Sequence, residues 1–349
     1  MFSNSDMGKI KDHREYSQGK VPLIDVEGTA SECGVMLGYA WQESLQLRAS
    51  RIVPDSIPWW KNKKFNRFIN KYIPHIPDVF LGMAKGSGLN ENQIGTIGHV
   101  EDNACTSFAI QPTASLDGIP ISGQSKDTDA FRQFQFQVLR MKMSNAPSAL
   151  TLTYPGWLFG HGFIQGRCSI FRNALYVDNP NGDLPYAAWG LIALHCSCVE
   201  EVIEFTKQFR IELCAHCTVA DEKGGIAGIE ITPYGIGVLK PKRGIYTHAN
   251  CVVSNKRLAK TENFGQFTRE NSLMRESMLR KNLEPNNGRL TAQLAYCSFC
   301  DFTDFPDSIE RHVGDIGLTT AVVIAEPNLC KLYVTRGAAS RIWPETYSL

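Results

Sequence analysis

The alternation of apolar and polar positions changes rhythm once along this chain, near residue 105. Upstream, a polar arm runs into a short apolar segment, Val21–Val26, and residues 1–27 read as loosely ordered. Thr29 and Glu32 then form a T-x-x-E capping box, the pattern that satisfies the free N–H groups of a starting helix. Behind it, Val35, Leu37, Tyr39, Trp41, Leu45 and Leu47 recur among polar residues, as an amphipathic helix requires. After breaks at Pro54 and Pro58, a second helical block reaches Phe80-Leu-Gly-Met-Ala-Lys-Gly-Ser-Gly-Leu-Asn90, whose glycines mark a helix end. The first hundred residues are therefore expected to be mainly helical.

From Cys105 onward the pattern shortens to alternation broken by turns, which predicts strands. Cys105–Ile110 and Ile119–Gly123 flank an Asp117-Gly118 turn. Further strands are expected at Ala149–Leu152, Ser169–Val177, Cys217–Ala220, Ile226–Ile231, Gly235–Leu239 and Ile245–Val253. The turn Asp221–Gly225 should join two of them as a hairpin. Thr319–Ala325 and Lys331–Thr335, around a Glu326-Pro-Asn-Leu turn, close the series. Two helices interrupt it: Ser197–Phe209, opened by an S-x-x-E box (Ser197, Glu200), and Thr268–Leu283, with Leu273, Met274, Met278 and Leu279 at helical spacing. Strand groups separated by helices predict a layered α+β fold. No internal repeat, low-complexity segment or linker divides the 349 residues, so one domain is expected.

Composition narrows the function classes. With 43% hydrophobic and 20% charged residues the chain is ordinary for a folded protein. A net charge of +1 gives no footprint for nucleic acid or an anionic membrane. The N-terminal stretch lacks the apolar core of a signal peptide and no run of apolar residues is long enough to span a bilayer, so a cytoplasmic location is expected. Eleven cysteines then read as reduced thiols.

Those thiols open the chemistry. A cysteine nucleophile needs a base and oxyanion donors, yet no spacing among His99, His161, His195, His216, His248 and His312 singles out a partner for Cys105. Cys214-x-x-Cys217 and Cys297-x-x-Cys300, with Cys196-x-Cys198, have the spacing of zinc units. The first runs straight into a strand and the second ends an apolar helix, so buried thiols are the preferred reading and no metal or other cofactor is expected. Gly156-Trp-Leu-Phe-Gly-His-Gly-Phe lacks the Lys-Ser/Thr of a phosphate-binding loop.

Segments that follow one another along the chain in a single family's order carry a resemblance. Cys105-Thr-Ser-Phe-Ala followed by Gly123-Gln-Ser-Lys-Asp127 resembles the Cys-Thr-Ser/Thr and Gly-Gln-Asn-Trp-Asp elements of the acyl-coenzyme A:6-aminopenicillanic acid acyltransferase family of N-terminal-nucleophile enzymes. Phe80–Gly88 is similar to that family's G-x-A-x-G-x-G element, Thr247-His-Ala-Asn250 to Thr-His-Thr-Asn, Phe305–His312 to Pro-x-Ser-Ile-Cys-Arg-His, and Thr319-Thr-Ala-Val-Val-Ile to the closing strand. The resemblance implies a four-layer αββα sandwich with the nucleophile at the start of a central strand. It implies self-cleavage at Ala104–Cys105, giving a helical 1–104 segment and a 105–349 core that form one domain. The freed α-amine of Cys105, with an ordinary pKa of about 7.7–8.0, would serve as the base, which removes the need for a histidine. Asp127 is implied to tune that amine, with Asp129 an equal neighbour on sequence alone, and Asn250 to donate to the oxyanion. Gln124, Lys126 and Arg311 are candidate substrate contacts, and Arg311 or Arg336 a candidate for a further active-site arginine. Departures are Ala104 for Gly, Ser125 and Lys126 for Asn and Trp, and Glu310 for Cys. Lys126 puts a cation where an aromatic is usual, so it would either favour an anionic substrate or lie solvated.

The reading is a self-processing amidohydrolase or acyltransferase that passes the acyl group of a small N-acyl compound or peptide through a thioester on Cys105. Acyl-coenzyme A-dependent transfer in biosynthesis is the alternative within the class. A non-enzymatic zinc- or thiol-rich binding protein is the alternative outside it.

Overall fold

The computed structural model describes residues 20–50, 57–96, 104–177, 182–264, 268–312 and 317–349; His99 and most of the N-terminal arm lie outside them. The chain begins with β1 (Leu23–Gly28), followed by α1 (Ala30–Ala40), α2 (Gln42–Ala49), α3 (Asn66–Tyr72), α4 (Ile76–Ser87) and α5 (Glu91–Thr96). Next come β2 (Ala104–Ile110), β3 (Ile121–Thr128), β4 (Gln137–Met143), β5 (Ala149–Thr153), β6 (His161–Ile164) and β7 (Cys168–Ala174). Helices α6 (Tyr186–His195) and α7 (Val199–Thr206) precede β8 (Ala215–Asp221), β9 (Ile226–Thr232), β10 (Gly235–Leu239) and β11 (Ile245–His248). Then follow α8 (Lys256–Ala259), α9 (Arg269–Leu283), α10 (Ala292–Cys297), β12 (Leu318–Glu326), β13 (Lys331–Arg336) and β14 (Glu345–Ser348).

These strands make two sheets. One has the order β1-β4-β5-β6-β7-β8-β9-β10, antiparallel except for the parallel β1–β4 pair; the other runs β11-β2-β3-β12-β13-β14. Leu23, Val138, Leu150, Leu152, Phe163 and Phe171 of the first sheet meet Ala321, Val323, Leu332 and Val334 of the second. The outer face of the first sheet packs on α1, α2, α4, α6 and α7, and that of the second on α9 and α10. The fold is thus α+β, a four-layer αββα sandwich. Burial of both sheets on both faces explains why alternation alone could mark strands without showing which way they face. Among the described residues no helix is long and apolar enough to cross a membrane.

Several elements differ from their expected form for identifiable reasons. The Val21–Val26 segment is not an arm but the edge strand β1. Its capping box works as read: Glu32 N–H donates to Thr29 Oγ1 (3.3 Å) and Thr29 N–H to Glu32 Oε2 (2.8 Å). The glycines of Phe80–Gly88 divide into two jobs. Gly88, with φ of 73°, ends α4 in the left-handed region, whereas Gly82 and Gly86 form a seam with Gly34 and Gly38 of α1. A Cβ on Gly34 would sit 2.2 Å from the Val79 carbonyl oxygen, and one on Gly82 2.3 Å from that of Ser31. The helix expected at Ser197 starts two residues later. Ser197 N–H donates to Glu201 rather than Glu200 (2.8 Å), and the Asp221 carboxylate at the end of β8 takes the Val199 N–H (2.9 Å). Ile119–Gly123 becomes β3, which continues through Gln124–Thr128, and the strand expected to Val253 stops at His248. Strands β4, β6 and β14 and helix α6 were not expected; α6 is buried all round, so it shows no amphipathic stripe.

Candidate active site

Cys105 is the second residue of β2, an interior strand flanked by β11 and β3. The chain is continuous there: Ala104 pairs with Asp127, and Cys105 with Lys126, across the antiparallel β2–β3 ladder. Alternation sorts these residues by face. Thr106, Phe108 and Ile110 point to the α9–α10 layer, as does Asp127 through its register with Ala104. Cys105, Ser107, Gln124 and Lys126 point to the other sheet, where Ser107 Oγ and Thr218 Oγ1 are 2.8 Å apart.

A polar network on the helix side holds the backbone of Cys105. Its N–H donates to Asn250 Oδ1 (2.9 Å), and its carbonyl accepts from Arg275 Nη1 (2.8 Å), which also donates to Thr106 Oγ1 (2.7 Å). Arg275 Nη2 donates to the same Asn250 oxygen (2.9 Å), while Asn250 Nδ2 donates to the Ala174 carbonyl (3.0 Å). The two donors facing Oδ1 and the acceptor facing Nδ2 define the amide orientation, since a flip would set N–H against N–H. Asn250 therefore presents its oxygen to the Cys105 nitrogen in the uncut chain.

Helix α9 supplies the centre of this network. Asn271 Oδ1 accepts from Arg275 Nε (3.0 Å) and Arg311 Nη2 (2.6 Å), and Ser272 Oγ accepts the Asn250 N–H (2.6 Å). Asp127 Oδ1 accepts from Thr319 Oγ1 (2.7 Å), and Arg311 Nε lies 3.7 Å from Asp127 Oδ2. Burial pushes the Asp127 carboxyl above its ordinary value, against the pull of Arg311, Arg275 and the Thr319 hydroxyl. Asp129 is exposed and pairs with Arg132, whereas Asp127 is buried within this network. Arg311 stands behind Asp127, on the face of β3 opposite the thiol, and Arg336 lies over the Phe134 ring at the end of β13. No sequence signal pointed to Arg275. It sits on the buried stripe Asn271, Ser272, Arg275, Met278 and Leu279, whereas Leu273 and Met274, expected on the apolar face, are exposed.

The opposite face is differently furnished. Lys126 is 3% exposed, so it is not solvated. It is the cross-strand partner of Cys105 on the same face of the sheet; burial, helped by the charge of Arg172, pushes its amine below the ordinary lysine value, against the pull of Cys105 and Asp127. Gln124 is fully buried, and its carboxamide has no hydrogen-bond partner among the described residues. His161, on β6, is held well below its ordinary value by burial and by Lys126 and Arg172, and its Nδ1 accepts the Arg172 N–H (3.3 Å). His216 and His248 stack on each other, with Glu230 on His248 (3.0 Å) and the Tyr246 hydroxyl on His216 (2.8 Å). Glu230 also takes the Val253 and Ser254 N–H groups, so this cluster shapes the turn that carries Asn250. The two C-x-x-C units lie in different layers, and Cys217 faces the Tyr186 hydroxyl (3.5 Å). Among the described residues no group of three metal-binding side chains converges.

Solved structures similar to this chain include two single-residue variants of the conjugated bile acid hydrolase from Clostridium perfringens. They are 12% and 13% identical, with TM-scores of 0.45 and 0.42, each covering 70% of this chain and 97% of that one. Penicillin V acylase from Agrobacterium tumefaciens is 11% identical, with a TM-score of 0.36 over 70% of this chain and 78% of that one. No curated protein matches the chain in sequence. The model of the acyl-coenzyme A:6-aminopenicillanic acid acyl-transferase family matches residues 161–338, just over half of the chain. That stretch begins downstream of Cys105 and contains Asn250, Arg275 and Arg311. The chain belongs to the acyl-coenzyme A:6-aminopenicillanic acid acyl-transferase family.

Proposed function

We propose that Cys105 is the nucleophile of an amide hydrolase or acyltransferase, freed as an N-terminus when the chain cleaves itself between Ala104 and Cys105. The observation that carries this reading is the surroundings of one residue: its nitrogen held by Asn250, its carbonyl by the Arg275 guanidinium, and a buried lysine, Lys126, as its cross-strand partner on the thiol's face. Any buried cysteine needs partners for its backbone, but a structural one needs neither a guanidinium on its carbonyl nor a buried lysine beside its thiol.

Cleavage would turn the Cys105 peptide N–H into an amine on the same site. Asn250 Oδ1 would accept one amine N–H and fix the direction of the lone pair, while the nearby Arg275 guanidinium disfavours the protonated amine. Such an amine can take the thiol proton near neutral pH. The thiolate attacks the carbonyl of a substrate amide or thioester, and the leaving group departs with the proton. Water or an amine then resolves the thioester. Ala104 pairs with Asp127, so the new terminus would form beside that carboxyl. Hydrolysis and transfer share every step to the acyl-enzyme, and a small N-acyl compound or short peptide is the proposed substrate, with acyl-coenzyme A as the alternative donor.

Intact-mass measurement of wild type beside Cys105→Ala tests the reading. Fragments 1–104 and 105–349 are expected from the wild type only. An uncut wild type of 38.9 kDa that resists thiol-directed acylating probes would overturn it.

A further inference from the structure

Self-cleavage poses a problem that the mature mechanism does not solve. Before the cut, the Cys105 nitrogen is a peptide nitrogen, with no lone pair available as a base. Its N–H is committed to Asn250. Something else must take the thiol proton in the first round.

The uncut strand supplies a group in the right place. Lys126 is the direct cross-strand partner of Cys105, where side chains on one face stand about 5 Å apart. Both are buried, and their side chains share the face turned to the other sheet. From these positions we infer that Lys126 is the catalytic base of the self-cleavage step, a role distinct from any in substrate turnover. This rests on the reading of Cys105 given above.

In that step neutral Lys126 Nζ accepts the Sγ proton, and the thiolate adds to the Ala104 carbonyl carbon. The Ala104–Cys105 C–N bond breaks as the nitrogen receives that proton back from the lysine, leaving an α-amine and a thioester. Water then adds its oxygen to the Ala104 carbon and returns a proton to sulfur, and the released carboxylic acid ionises. Lysine can act this way only if its neutral form is accessible. The charged or titratable groups around it are Cys105 on β2, Arg172 on β7, His161 on β6 and Asp127 on its own strand, turned to the opposite face. Burial and Arg172 both favour the neutral amine. Arginine, which stays charged at every working pH, cannot substitute.

The test follows cleavage of full-length protein by intact mass at a series of pH values, with Cys105→Ala as the uncut control. Lys126→Met keeps length and apolar stem and removes a buried charge, a change that folds often tolerate. It is expected to slow cleavage about 100-fold or more, the usual worth of a general base, and an added primary amine such as methylamine should restore part of the rate. Lys126→Arg, retaining the charge, should be equally slow and should report the base role even if the methionine variant folds poorly. Either variant cutting at the wild-type rate with the wild-type pH profile overturns the assignment while leaving Cys105 as the nucleophile. A wild type that remains whole overturns both.

Discussion

The two faces of the β2–β3 hairpin are built from alternate residues of the same strands and do opposite things. On the helix side, Thr106 and Asp127 join Asn250, Asn271, Ser272, Arg275, Arg311 and Thr319 in a network that fixes the Cys105 backbone. On the sheet side, Cys105 meets Lys126, and Gln124 buries a carboxamide with no partner among the described residues. One face is densely hydrogen-bonded and charged, and the other places a buried amine beside the thiol. A buried polar group without its hydrogen bonds costs free energy, so the Gln124 carboxamide beside the thiol marks that face as the one open to a ligand, whereas the interlinked network behind the strand supports the backbone. Position in the strand, not residue type, decides which role a side chain takes.

The contrast can be broken most severely from the supporting face. Arg275→Met removes the charged donor to the Cys105 carbonyl and one of the donors to Asn250 Oδ1. Loss of hydrogen bonds to a buried charged group should cost about 3 kcal/mol of stability or more, read as a lower urea midpoint, together with loss of self-cleavage. Asn250→Ala should lower turnover about 100-fold with little change in KM, because it releases the nucleophile's nitrogen without touching the substrate. A change in KM alone would show that Asn250 binds substrate instead.

A remote seam provides the control. Gly34→Ala and Gly82→Ala force backbone apart where α1 and α4 touch, so each should destabilise by roughly 1–3 kcal/mol yet leave activity per folded molecule unchanged. Asp127→Asn keeps the acceptor for Thr319 but loses the charge facing Arg311. Slower turnover with a smaller loss of melting temperature than Arg275→Met is expected, and an unchanged rate would remove Asp127 from the site.

The smallest effect is a pH dependence. Glu262 takes the Val252 N–H beside the Asn250 turn and pairs with Arg269. Burial raises its carboxyl from the ordinary 4.5 to about 7. Because the folded value lies above the unfolded one, its contribution to stability is complete below pH 4.5 and is lost as pH rises towards 7. Glu262→Gln should flatten the fall in melting temperature over that interval, and an unaltered slope would contradict the assignment.

Much of the scaffold was legible because it depends on local rules. The Thr29 capping box, the hairpin turn at Asp221–Gly225 and the strands from Cys105 to Ile110 follow from short-range chemistry. What escaped was set by tertiary contact. Arg275 lies in a helix whose polar residues look solvated, and only the strand beneath it makes Asn271, Ser272 and Arg275 the inner stripe. Helix α6 has no polar face to declare it, and the edge strand β14 depends on pairing with β13. Asp127 and Asp129 could not be separated by sequence, since a two-residue step keeps the same face of a strand; β3 ends at Thr128, and only that boundary leaves Asp129 in solvent. Asn250 was found by its register in Thr-His-Ala-Asn, but the sense of its amide required the donors around it.

The most direct test of the central claim asks whether Cys105 carries a free amine. A terminal cysteine has adjacent amine and thiol groups, which condense together with 2-cyanobenzothiazole; internal cysteines lack the amine and form no stable product. The account predicts a single stable adduct on the 105–349 fragment of the wild type, coincident with loss of activity, and none on Cys105→Ala. An active protein that stays intact at 38.9 kDa and acquires no such adduct would contradict it.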